Sequence, residues 1–149
     1  HDIVVALARL HHFGVIHRDV KGQNVLVSKS GKAYLCDFGV SQILEPGVVK
    51  ETAGTCIFMA PEMAEANPNY DEKVDIWSLG ITIIQLTTGK VPLEDHPMMN
   101  WGGGAKFRII AQQPEPSLGP RGVPGYSFAL IVFLDRCVVR DPAQRASAR

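Results

Sequence analysis

Apolar positions recur at helical spacing from the first residues of the chain. Ile3, Leu7 and Leu10 fall on one face of a helix predicted over 3–13, with Ala6 beside them and Gly14 as its stop. A short polar stretch over 17–24 breaks the pattern and reads as a loop. Residues 25–27 and 33–36 read as two strands, and the Ser-Lys-Ser-Gly-Lys run between them is turn chemistry, so the pair is expected to form a hairpin. No period holds across 37–62, where Gly and Pro recur; a loop of that length in a compact domain usually carries function or is disordered.

Residues 73–88 are apolar nearly all round, as expected of a helix buried on every side. Asp71 and Glu72 suit the positive end of that helix, and Gly89 then Pro92 its stop. Residues 101–104 are a glycine break and 105–112 a short helix. The Pro- and Gly-rich stretch 114–125 reads as a loop. A last apolar helix over 128–139 is capped by Ser127 and ends before Asp141-Pro142. The class this predicts is α+β, mainly helical: a buried central helix with others around it, plus one small β-hairpin.

Composition narrows the possible functions. Fifteen basic and fifteen acidic residues cancel, so binding nucleic acid through bulk positive charge is excluded. The longest apolar run, 128–134, is far short of the roughly 20 residues a membrane span needs. Three separated cysteines, with no CxxC pair, argue against a disulfide scaffold and a zinc site. The first residues lack the basic start of a signal peptide, and the missing initiator Met points to a piece of a longer protein.

Chemistry concentrates around the hairpin. With Val25 opposite Cys36 and Ser28 opposite Ala33, Asn24 would lie opposite Asp37 just beyond the strand ends. A carboxylate and an amide oxygen with no soft ligand nearby suit hard Mg²⁺. Asp19, five residues before Asn24, supplies a second carboxylate near such a metal, and Lys21 adds a compact positive charge. Metal-held phosphate, a lysine and a free carboxylate are the parts phosphoryl transfer needs. His11 and His12 are adjacent, so they leave one helix on different faces; they read as surface or groove histidines.

His17-Arg18-Asp19 with Lys21 and Asn24, then Asp37-Phe38-Gly39, then Ala60-Pro61-Glu62, resembles the protein-kinase signature set. Asp75-Ile76-Trp77-Ser78-Leu79-Gly80 and Arg145 also match, so the resemblance runs from Ile3 to Arg145. Lys21, two places after Asp19, is similar to the Ser/Thr kinases. HRDVKGQNVL, DFGVSQ, GTxxxMAPE and DHPM look most like the germinal-centre-kinase branch of the sterile-twenty group.

The resemblance implies roles. Asp19 would orient the substrate hydroxyl and accept its proton, and Lys21 would screen the transferring phosphoryl group. Asn24 and Asp37 would hold Mg²⁺, so that Lys21, Asn24 and Asp37 together bind ATP. Thr55 would contact Asp19 and shape the substrate floor. Arg18 would collect a phosphate on the loop before Glu62, with Thr52 as acceptor. His17, Phe38 and Gly39 would be structural; Glu62 and Arg145 would form a buried ion pair; Asp75 would tie the loop around His17 and Arg18 to the central helix. The implied partner is a protein with a Ser or Thr acceptor, and the implied location is cytoplasmic.

No glycine-rich phosphate loop, strand lysine or partner glutamate helix precedes His17. The expectation is therefore a C-terminal lobe of a kinase domain over 1–149, truncated at both ends, that alone binds ATP weakly and has no useful kinase activity without the N-terminal lobe. Cys56-Ile57-Phe58 stands where the family has Pro-Tyr-Trp, which alters the expected substrate floor. A catalytically inactive kinase-like binding module is the competing reading; intact Asp19, Asn24 and Asp37 weigh against it.

Overall fold

A computed structural model describes residues 1–44, 51–65, 69–100, 104–118 and 125–149. Four α-helices dominate it: α1 (Asp2–His12), α2 (Lys73–Thr88), α3 (Ala105–Gln112) and α4 (Phe128–Cys137). Two small antiparallel ribbons accompany them. β1 (Val15–Ile16) pairs with β4 (Gln42–Ile43), and β2 (Val25–Val27) pairs with β3 (Ala33–Leu35). The fold is α+β and mainly helical.

α2 is the central helix. Val74, Trp77 and Asp75 on it are fully buried, and its neighbours Ile76, Leu79, Ile81 and Ile84 are close to it in burial. Each large apolar side chain removed from water contributes about 1.5–3 kcal/mol, and this concentration explains why the helix has almost no polar face. The exception is informative: Asp75, Ser78 and Thr82 are buried too. Ser78 donates to the carbonyl of Phe58 at 2.9 Å and so ties that turn to the helix, while the Thr82 hydroxyl lies 2.7 Å from the Ser78 carbonyl of its own helix and 3.3 Å from that of Val20. Leu86 is exposed near the helix end, before Gly89 closes it with a left-handed φ of 75°.

α4 crosses α2 at Gly80. A Cβ there would stand 2.6 Å from a Val138 methyl and 2.9 Å from Cys137 Cβ, closer than such atoms pack. Ser127 caps α4 by accepting from the Leu130 amide at 3.2 Å. The helix stops at Cys137, two residues before the expected end, where the Val138 amide bonds back to Leu134. Buried Cys137 has its thiol pushed up to about 12 by burial, against the opposing pull of Arg145.

α1 begins and ends one residue earlier than expected. The Phe13 amide is shared between the Arg9 and Leu10 carbonyls, and Gly14 turns the chain out of the helix at φ 69°. His11 departs from its reading as a surface or groove residue: it is 2 % exposed, and its Nε2 lies 2.8 Å from Asp75 Oδ2.

The hairpin register is corrected by one residue. Val25 faces Leu35, and Val27 faces Ala33. The Ser28 amide bonds the Lys32 carbonyl, the Gly31 amide bonds that of Ser28, and Gly31 takes φ 82°. This is a three-residue loop with a left-handed glycine, and the bulge it makes uses up the residue that the four-residue turn had left in the strand. The Asn24 carbonyl therefore accepts from the Cys36 amide at 2.9 Å, and Asp37 lies one place further along.

The stretch 37–62 is not uniformly irregular: β4 and two 3₁₀ turns, Cys56–Phe58 and Pro61–Met63, interrupt it. Residues 45–50 of that stretch, 101–103 of the glycine break and 119–124 of the Pro- and Gly-rich loop lie outside the described residues.

Candidate functional site

The site is built outward from Asp75. Its carboxylate, with no solvent exposure, accepts from the His17 amide at 2.9 Å and the Arg18 amide at 2.8 Å, besides His11. Two consecutive amides pinned to one carboxylate fix the backbone just before Asp19. Arg18 pays for this with φ 67°, a left-handed conformation unusual for a residue with a side chain.

His17 is fully buried and braced on three sides. Its Nδ1 accepts from the Asp19 amide at 3.3 Å. That network assigns the proton to Nε2, which donates to the Cys36 carbonyl at 3.1 Å. Its ring meets Phe38 edge-on at 5.1 Å. The imidazole thus joins the Asp19 loop to the strand end that carries Asp37.

Asp19 gathers four donors. Oδ1 accepts from the Thr55 amide at 2.9 Å and the Thr55 hydroxyl at 2.7 Å. Oδ2 accepts from Lys21 Nζ at 2.7 Å and Asn24 Nδ2 at 2.9 Å. Lys21 Nζ also reaches Thr55 Oγ1 at 2.7 Å, closing a triangle. Burial pushes the Asp19 carboxyl up, but the bonds from Lys21, Thr55 and Asn24 outweigh it and hold the group below its ordinary value. It is ionised at neutral pH.

Gly54 permits this arrangement. At φ 100°, a Cβ on it would lie 2.1 Å from the Arg18 carbonyl oxygen, so only glycine lets the incoming chain rest on that peptide and deliver Thr55 to Asp19.

Asn24 is buried at the end of a 3₁₀ turn, Gly22–Asn24. Its amide nitrogen gives one hydrogen to the Asp19 carbonyl at 2.8 Å and the other to Asp19 Oδ2. Both partners are acceptors, which fixes the amide orientation and leaves Oδ1 unspent. Asp37 is exposed, at φ 65°, and its Oδ1 accepts from the Gly39 amide at 3.3 Å. A free amide oxygen and an exposed carboxylate on neighbouring strand ends fit a hard divalent cation carrying further oxygen ligands. Among the described residues no group of three or more His, Cys, Asp or Glu could hold a metal by itself.

The remaining predicted residues fall into two places. Glu62 and Arg145 meet in a two-pronged pair, Nη1 to Oε1 at 2.6 Å and Nη2 to Oε2 at 3.1 Å, with Arg145 5.1 Å over the Trp77 ring. Arg18 and Thr52 are not brought together: the Arg18 guanidinium reaches the carbonyl of Glu51, while the Thr52 hydroxyl donates to the Met63 carbonyl at 3.0 Å.

Three residues escaped the sequence reading. His11 had a signal, since it follows Leu7 by four places on the buried face of α1. Gln42 and Tyr70, which meet the Arg18 side chain, had none; only the folded chain brings them there.

Comparison with known proteins shows the family. The whole chain, residues 1–149, matches the family model described as protein kinase domain. It is 44% identical over 152 residues to the serine/threonine-protein kinase dst2 of Dictyostelium discoideum, covering 99% of this chain. It is 40% identical over 149 residues to the serine/threonine-protein kinase KIC1 of Saccharomyces cerevisiae, again over 99% of the chain. A third relative, the serine/threonine-protein kinase PAK mbt of Drosophila melanogaster, is 44% identical over 147 residues, 96% of this chain and 21% of its own length. The chain spans only 13% of the length of each of the first two relatives.

Proposed function

The chain belongs to the protein kinase domain family, and on that premise we propose that its site serves transfer of the γ-phosphoryl group of Mg-ATP to a serine or threonine hydroxyl of a protein. The observation that carries this reading is the Asp19 carboxylate, held ionised by Lys21, Thr55 and Asn24 on one pinned loop.

Asp19 has about four acceptor positions, and four donors occupy them. An incoming hydroxyl therefore takes the place of one donor. Thr55 Oγ1 and Lys21 Nζ are the exchangeable ones, because each keeps the other when it leaves the carboxylate. The substrate oxygen then sits where Asp19 orients it and receives its proton, beside the Lys21 ammonium that screens the phosphoryl charge. A carboxyl held below its ordinary value is a weak proton acceptor, so positioning and electrostatics carry the rate more than basicity.

Asn24 Oδ1 and Asp37 would hold magnesium. Bound there, the cation would neutralise phosphate charge. The specificity for serine or threonine is supported by Lys21, two places after Asp19, and by the names of the relatives. The substrate protein has to present its hydroxyl past Thr55 and the neighbouring Cys56–Phe58 turn.

The test, made in the full-length protein, is transfer of label from Mg-ATP to a generic protein substrate, with Asp19→Asn beside the unaltered protein. Label on serine or threonine is expected, and the variant should be slower by about 10²–10⁴-fold. Equal labelling by both, or none by either, overturns the reading and leaves a kinase-like binding module.

A further inference from the structure

Arg18 is a hub as well as a neighbour of Asp19. Its Nε donates to the Val40 carbonyl at 2.6 Å. Its Nη1 lies 2.9 Å from Gln42 Oε1, 3.3 Å from the Glu51 carbonyl and 3.3 Å from the Tyr70 hydroxyl. The Tyr70 hydroxyl in turn donates to the Glu51 carbonyl at 2.7 Å. Val40 and Gln42 belong to the limb that leaves Asp37. Glu51 belongs to the limb that arrives at Thr55. Tyr70 belongs to neither; it is 3 % exposed and stands just before α2, the most deeply buried helix.

We infer that Arg18, Gln42, Tyr70 and the Glu51 carbonyl form a clasp that holds both limbs of this loop together without a phosphate, and that Gln42 and Tyr70 are positioning residues for Asp19. Every acceptor named is uncharged, yet each bond to the guanidinium is charge-assisted and stronger than a neutral one. The fixed fork of that group lets one side chain face both limbs at once.

The clasp reaches Asp19 by two routes. Through the backbone, the Arg18 amide is tied to Asp75 and its carbonyl lies under Gly54, so the guanidinium is anchored to the peptide that precedes Asp19. Through the loop, Glu51 is four residues before Thr55, whose amide and hydroxyl both hold Asp19 Oδ1. The Thr52 hydroxyl stands outside the clasp on the Met63 carbonyl, and a phosphoryl group on Thr52 would have to give up that bond to reach Arg18.

As a contribution to phosphoryl transfer the clasp rests on the reading of Asp19 above. As a holding device it does not, and amide exchange reads it without turnover, so the two can fail separately. Phosphatase-treated protein, shown free of phosphate by intact mass, is compared with Tyr70→Phe and with Tyr70→Phe/Gln42→Glu. The reporters are the Thr55 amide, bonded to Asp19 Oδ1 at 2.9 Å, and the Leu44 amide, bonded to the Gly14 carbonyl at 2.7 Å.

Both reporters should be protected in the phosphate-free protein. Tyr70→Phe keeps the ring and removes the hydroxyl, and should speed exchange at both by about tenfold while the α2 amides stay unchanged. Adding Gln42→Glu should slow exchange again, because a carboxylate facing the guanidinium bonds it more strongly than an amide. A residue that only packs would not be rescued in this way. The clasp is refuted if the reporters are unprotected until Thr52 is phosphorylated, if Tyr70→Phe exchanges like the unaltered protein, or if Gln42→Glu restores nothing.

Discussion

Asp19 and Asp37, the two carboxylates of the proposed site, are made on opposite plans. Asp19 is buried and takes four donors from the chain itself. Asp37 is exposed on a strained backbone, and the Gly39 amide is the contact the described residues give it. The protein fills the acceptor positions of Asp19 from its own chain and leaves Asp37 with acceptor positions to spare. That division fits the proposed phosphoryl transfer, whose geometry would be set by the fold while its charge would be met by a cation and a nucleotide.

The strongest way to break the comparison is to strike the support under Asp19. Asp75→Ala leaves the His11 ring and the His17 and Arg18 amides without their acceptor, and should cost about 3–4 kcal/mol in urea unfolding. Asp37→Asn should change stability by no more than about 0.5 kcal/mol while removing magnesium-dependent nucleotide binding. Equal losses of stability in the two variants would mean that both halves of the proposed site are structural.

Acid titration sharpens the same contrast. Because hydrogen bonds hold folded Asp19 below its unfolded value, its contribution to stability is complete above the ordinary carboxylate range. It is lost as pH falls through the lowered folded value. Unfolding midpoints followed down into acid should therefore drop more steeply in the unaltered chain than in Asp19→Asn. Parallel curves would show that the four donors give Asp19 no stabilising bond.

The smallest effect concerns thiols. Cys36 precedes Asp37 on the open side, and Cys56 follows Thr55; both are half-buried. Cys137, the last residue of α4, is buried with its thiol pushed up to about 12. An alkylating reagent at mildly alkaline pH should label the first two in the native protein and spare the third. Labelling of Cys137 at the rate of the others would show that the α2–α4 interior opens readily.

Much of this was legible in the chain. The central helix is readable because sixteen residues with hardly a polar face permit few other placements. The spacing of Asp19, Lys21, Asn24 and Asp37 pointed to the protein kinase family, which the family model bears out. The hairpin register was not legible, since it depends on Gly31 turning left-handed, and composition alone does not distinguish a three-residue loop from a four-residue one. β1 and β4 have two residues each, too few to show a period. Gln42 and Tyr70 carried no mark of their own, because what they do exists only through Arg18.

Gly54 has a consequence for inheritance. The loop rests on the Arg18 carbonyl where a side chain would begin, so this position has no neutral neighbours among the amino acids. Every missense change in its codon adds a Cβ at 2.1 Å from that oxygen and lifts Thr55 away from Asp19. Glu51, a few residues earlier, is exposed and engages Arg18 and Tyr70 through its backbone carbonyl, so its side chain meets no such barrier. A side chain is thus tolerated at Glu51 and refused at Gly54, where the constraint is set by the side chain glycine does not have.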